Sequence, residues 1–167
     1  MLRRLLRSRV GFAVLLVALS RVVGAEPVAT VGEVAIHDPW ARASLGAMKT
    51  SAAYMTLEVT GDQGDRLIAA ASPAAEAATL HAHVMDGGIA RMRPLAAIEV
   101  APGAPTVLAP GGLHIMLTGL HQKLVEGETL PLGLTFERAG TVEIEIPIKG
   151  MAGMSHDRHG DHKPATN

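Results

Sequence analysis

Between Glu26 and Gly150 the chain is cut into short apolar runs by glycine and proline, too short and too regularly alternating to wind into helices. Ten segments have strand character: Val31 to Ile36, Ala52 to Val59, Arg66 to Ala71, Thr79 to Met85, Ile89 to Arg93, Ala97 to Val100, Thr106 to Leu108, Leu113 to Leu117, Leu130 to Glu137 and Thr141 to Ile148. Gly61-Asp62, Asp86-Gly87-Gly88, Pro102-Gly103, Pro110-Gly111-Gly112 and Glu126-Gly127 supply turns between them. Only Ser72 to Ala78, rich in alanine, suggests a helical turn. That spacing predicts an all-β domain, an antiparallel sandwich or barrel.

The ends differ from this middle. Arg3, Arg4, Arg7 and Arg9 precede an apolar stretch from Val10 to Leu19, and Val23-Gly24-Ala25 ends in small residues, so residues 1–25 have the layout of a cleaved signal peptide. The stretch falls short of the ~20 residues a spanning helix needs, so no stable membrane insertion is expected. Residues 26–150 form the single expected domain, and 151–167, polar and rich in histidine, an expected flexible tail. The leader takes five of the 15 basic residues and none of the 16 acidic ones, leaving a balance of −6 that disfavours nucleic acid or an anionic membrane as partner. Export to the bacterial periplasm is the expected location, and the absence of cysteine leaves no disulfide to form there.

Chemistry enters with His81, Met92, His114 and Met116. Two imidazoles and two thioethers make a soft, uncharged donor set that favours Cu(I) over Zn²⁺, Mg²⁺ or Ca²⁺. In Leu113-His114-Ile115-Met116-Leu117 the aliphatic side chains fall on one face of a strand and the two donors on the other. Leu80-His81-Ala82-His83-Val84-Met85 alternates in the same way, so the donors lie off the obvious core face. The hairpin between these histidines and Met92 admits two registers. A turn at Asp86-Gly87 sets His81 opposite Met92, whereas a turn at Gly87-Gly88 sets His83 there, which makes His83 a reserve ligand. Both histidines must be deprotonated to bind, so affinity is expected to weaken below their ordinary pKa of ~6.5.

The spacing His-x10-Met-x21-His-x-Met, together with Asp38-Pro39-Trp40-Ala41-Arg42, Ala53-Tyr54-Met55, Asp65-Arg66-Leu67, Met85-Asp86-Gly87-Gly88, Arg91-Met92-Arg93-Pro94 and Pro110-Gly111-Gly112-Leu113, resembles the periplasmic CuA chaperones, the PCuAC family. The resemblance covers roughly residues 30 to 150, and departs from the family at Val59-Thr60-Gly61, where an Asn is expected before the turn. It implies a cupredoxin-like antiparallel β-sandwich. It also implies Cu(I) held by His81, Met92, His114 and Met116, and delivery toward the CuA site of cytochrome c oxidase, with that enzyme's subunit II or another copper assembly factor as acceptor.

In the tail, Met151, Met154, His156, His159 and His162 form a candidate secondary copper site, suited to Cu(II) through its imidazoles. A solvated tail without ligands is the competing reading. Trp40, Tyr54 and Phe136 are expected in the core, Met55 likewise, with Met48 in a loop and His37 and His121 on the surface. A blue-copper electron carrier requires a thiolate, which this chain lacks. With no Gly-x-Ser-x-Gly and no His-Glu-x-x-His, no enzymatic activity is expected. The alternative to a chaperone is a periplasmic copper buffer or tolerance protein without a dedicated acceptor.

Overall fold

The computed structural model describes residues 26–45 and 49–150. The expected leader, the tail with its five candidate donors, and Met48 lie outside them. Eleven strands follow in order: β1 (Ala29–Val31), β2 (Val34–Arg42), β3 (Thr50–Val59), β4 (Asp65–Ala71), β5 (Ala75–Asp86), β6 (Ile89–Pro94), β7 (Ile98–Val100), β8 (Thr106–Leu108), β9 (Leu113–Leu120), β10 (Thr129–Phe136) and β11 (Gly140–Lys149).

Pairing runs β5-β9-β3-β2-β11-β10-β4, and β4 returns to β5 through Ala70 and Ala78, which closes the sheet on itself. The remaining short strands flank this ring, with β6 beside β5, β7 beside β4, β8 beside β3 and β1 beside β2. The all-β expectation holds. Most pairs are antiparallel, but β11 meets β2 in parallel at Ile148–Ala41 and Lys149–Arg42, and β8 meets β9 in parallel at Leu108–Leu113.

Alternation decides what goes inside. Along β11, Ile144, Ile146 and Ile148 are buried while Glu143 and Glu145 face water. Ile36, Leu57, Leu67, Ile115, Leu117, Leu132, Leu134 and Phe136 fill the interior with essentially no exposed surface. Each such side chain contributes about 1.5–3 kcal/mol relative to an exposed one.

Three local expectations change. Ala75 to Ala78 extend β5 instead of forming a helical turn, because pairing with Leu120, Thr118 and Leu117 outweighs the helix preference of alanine. Val31 to Ile36 is two strands joined by a tight turn in which Gly32 takes a left-handed φ of 52°. Trp40 is half-buried, its ring 4.6 Å from that of buried Tyr54 with the Lys149 ammonium 5.7 Å away, so it packs at the margin of the core instead of inside it. Met55, Tyr54 and Phe136 are buried as expected.

Candidate metal centre

The site is built on the outer face of β5, β6 and β9. Leu80, Ile115 and Leu117 point into the core, so their neighbours in sequence point out. Across β5 and β9, His81 lies opposite His114 and Thr79 opposite Met116. Directly opposed residues share a face with Cβ atoms about 5 Å apart, which puts three of the four expected donors in one cluster.

Met92 reaches that cluster from a different register. His83 lies opposite Met92, and His81 opposite Pro94. Of the two registers the sequence admits, the one with the turn at Gly87-Gly88 is formed. Gly87 and Gly88 both carry positive φ, 58° and 83°, so they are the two central turn residues, flanked by the Asp86–Ile89 pair. A two-residue turn of this hand needs left-handed backbone at both centres, and glycine adopts it at less cost than aspartate. Met92 is then diagonal to His81, about 7–8 Å away along the sheet and still within reach of a long thioether side chain.

His114 anchors the group. It is only 3% exposed, although it stands off the aliphatic face. Its Nδ1 lies 3.0 Å from the Gly112 carbonyl oxygen, and since that oxygen can only accept, Nδ1 carries the proton and Nε2 presents a lone pair. Burial lowers its pKa; the charges of His83, His81 and Arg42 push the same way, against the opposing Gly112 bond. The ring is thus neutral at pH 7, the form that can bind a metal ion.

The other two rings lie beside it, His81 at 5.7 Å and His83 at 5.1 Å between ring centroids. Thr79 Oγ1 sits 3.0 Å from His81 Nε2. Among the described residues the Nδ1 atoms of His81 and His83 are both buried without a hydrogen-bond partner. Buried polar atoms are nearly always paired, so two orphaned ring nitrogens on one face fit a site whose partner is a metal ion.

Among the described residues no three His, Asp or Glu side chains are arranged to hold a metal ion by themselves. The imidazoles need sulfur to complete a coordination set, and this face offers Met116, half-buried, and Met92, 48% exposed, with Met85 further out. The set carries no negative charge. Arg91 and Arg93, on the opposite face of the hairpin, both pair with Asp86, at 3.5 and 3.4 Å. His37 pairs with Glu58 at 3.7 Å and His121 is exposed, both away from the cluster.

Sequence reasoning passed over Thr79 and Gly112 as partners of the His81 and His114 rings. The signal for Thr79 was its period-two alignment with His81 and His83. Gly112 left none, because its carbonyl acts through backbone position. A cavity of about 410 Å³ between Ser72, Pro131 and Glu145 holds none of these donors.

Comparison with known proteins finds similar domains. The family model LpqE-like, whose description names a lipoprotein, matches residues 34–148. A protein of Leifsonia xyli subsp. xyli (strain CTCB07) named as a lipoprotein, Lxx21020, is 30% identical over 128 residues, 76% of each chain. Among solved structures, the copper-bound PCuAC domain from PmoF2 superposes with a TM-score of 0.64 at 28% identity, covering 73% of this chain and 97% of that one. The Cu(I) form of DR1885 from Deinococcus radiodurans gives 0.55 at 28% identity, covering 68% of this chain and 78% of its own.

Proposed function

The chain belongs to the LpqE-like family and has a PCuAC-type fold, and from that premise we propose that it is an exported copper chaperone whose cargo is Cu(I). His81, Met92, His114 and Met116 hold the ion in this reading. The observation that carries it is the clustering on one outer face of a neutral His114 with a free Nε2, the unpartnered Nδ1 of His81, and two methionines at the rim. Solved PCuAC domains titled as copper-bound and as the Cu(I) form support the choice of metal.

The donor set explains selection. Thioethers and neutral imidazoles bring no charge, so the loaded site carries one positive charge with Cu(I) and would carry two with Cu(II). Softness and charge together favour the reduced ion. Holding cargo without a thiolate also sets the direction of transfer, since a cysteine-bearing acceptor offers the stronger soft donor. The CuA site of cytochrome c oxidase, through its subunit II or another copper assembly factor, is the acceptor in this proposal. Residues 1–25 would direct export, 26–150 carry the cargo site, and 151–167 provide a secondary Cu(II) site through Met151, Met154, His156, His159 and His162. The protein catalyses no reaction in this reading.

Mixing the Cu(I)-loaded chain with apo acceptor under anaerobic conditions tests the assignment. A chaperone loses its copper to the acceptor in a defined complex, faster than the free ion would exchange through a chelator. Retention of copper against every thiolate acceptor would instead identify a buffer.

A further inference from the structure

We propose that His83 is a fifth copper donor, which takes the ion over from His81 while Met92 and His114 remain bound, and so provides an outer position from which cargo is handed on. The inference rests on the copper reading above. Register is its first support: Met92 lies directly opposite His83 and only diagonal to His81. The His83 ring is also nearer to His114, 5.1 Å against 5.7 Å for His81. Two imidazoles bound ~2 Å from one ion can have centroids up to ~6 Å apart, so His114 can share an ion with either ring.

His83 has no other visible employment. Among the described residues the Nδ1 atoms of His83 and His81 alike are buried without a partner, but only His81 has a side-chain hydrogen-bond partner, Thr79 at its Nε2. A buried, unpaired ring nitrogen costs free energy unless something binds it. Exposure also grades outward along this face, from His114 at 3% to Met92 at 48% and the neighbouring Met85 at 71%. Met85 shares the face of His83, and a cavity of about 200 Å³ opens between His83, Met85, Ala90 and Gly111. That space adjoins the outer position, where an incoming thiolate could reach the ion while the inner donors are still shielded. The step breaks the bonds to the His81 nitrogen and the Met116 sulfur and forms one to the His83 nitrogen, leaving Cu(I) three-coordinate, with no change of oxidation state and no proton released.

The test uses the full chain labelled with ¹⁵N at histidine, titrated with Ag(I) as a diamagnetic stand-in for Cu(I), alongside His83→Ala under anaerobic Cu(I). One equivalent of Ag(I) should shift imidazole nitrogens of His81, His83 and His114 together. In His83→Ala, Cu(I) affinity should change less than fivefold while transfer to excess chelator slows at least tenfold. An unmoved His83 resonance in the parent chain, which needs no variant to fold, would overturn the proposal. So would an unaltered transfer rate, or a loss of affinity as large as that of His114→Ala, which would make His83 a permanent ligand. If no histidine responds, the copper reading itself has failed, a result distinct from silence at His83 alone.

Discussion

Asp65 is the buried polar group that ties β4 to the β10–β11 turn, and Asp65→Ala tests that tie directly. Its carboxylate is buried and accepts three backbone N–H bonds, from Arg66 at 2.7 Å, Arg138 at 3.0 Å and Ala139 at 2.8 Å. These tie the start of β4 to the turn between β10 and β11. Hydrogen bonds to a charged group contribute ~1.5–3 kcal/mol each, so simple addition gives roughly 4.5–9 kcal/mol. Water entering the vacated space would satisfy part of this, and we expect a net loss of about 3–5 kcal/mol. For a domain of this size that corresponds to a fall in Tm of roughly 10–20 °C. Asp65→Asn, which keeps one acceptor oxygen, should lose about half as much.

The same carboxylate sets an acid limit. Burial works to raise its pKa, but the three N–H donors and the Arg138 charge overcome that and hold it below the ordinary carboxylate value. A group with a depressed folded pKa stabilises fully above its unfolded value of ~3.9, and the contribution disappears as pH falls through the folded value. Urea melts of parent and variants from pH 3 to 7 measure both effects. A loss below 1 kcal/mol at pH 7, or a parent–variant gap that stays constant through pH 3, would refute the reasoning.

Other expectations separate the site from the scaffold. Met92→Leu and Met116→Leu conserve volume, so each should alter stability by less than ~1.5 kcal/mol in thermal melts, while chelator competition shows Cu(I) binding weakened by roughly tenfold or more. At Gly87 and Gly88 a Cβ would meet nothing within 4 Å, but both φ values are positive, so Gly87→Ala and Gly88→Ala should each cost about 1–2 kcal/mol within the hairpin. Amide exchange should speed in β6 and stay unchanged at Leu132. Because burial lowers the His114 pKa, the unfolded chain binds its proton first as pH falls. Stability from this residue should therefore decline below ~6.5, toward the lower folded value, and His114→Phe should flatten that part of the pH profile.

Much of the fold was legible because alternation and turn residues act locally. Thr106 to Leu108 and Ile89 to Arg93 coincide with β8 and β6 to within a residue, their ends set by Pro and Gly on either side. What escaped depends on partners distant in sequence. Ala75 to Ala78 is a strand only because β9 lies alongside, and closure through Ala70 and Ala78 has no local signature. The site divides in the same way. The outward face of His114 and Met116 was visible in five residues, but the hairpin register turned on which of three turn residues could take positive φ. His83 was therefore only an alternative until Met92 was found opposite it.

An anaerobic Cu(I) competition titration of the full chain, beside the same chain carrying His114→Ala and Met116→Leu, addresses the central claim. The account predicts one tight equivalent in the parent and its loss in the variant, with the fold retained by circular dichroism. Undiminished tight Cu(I) binding in a folded variant would contradict it, and would move the cargo site off the β5–β9 face altogether.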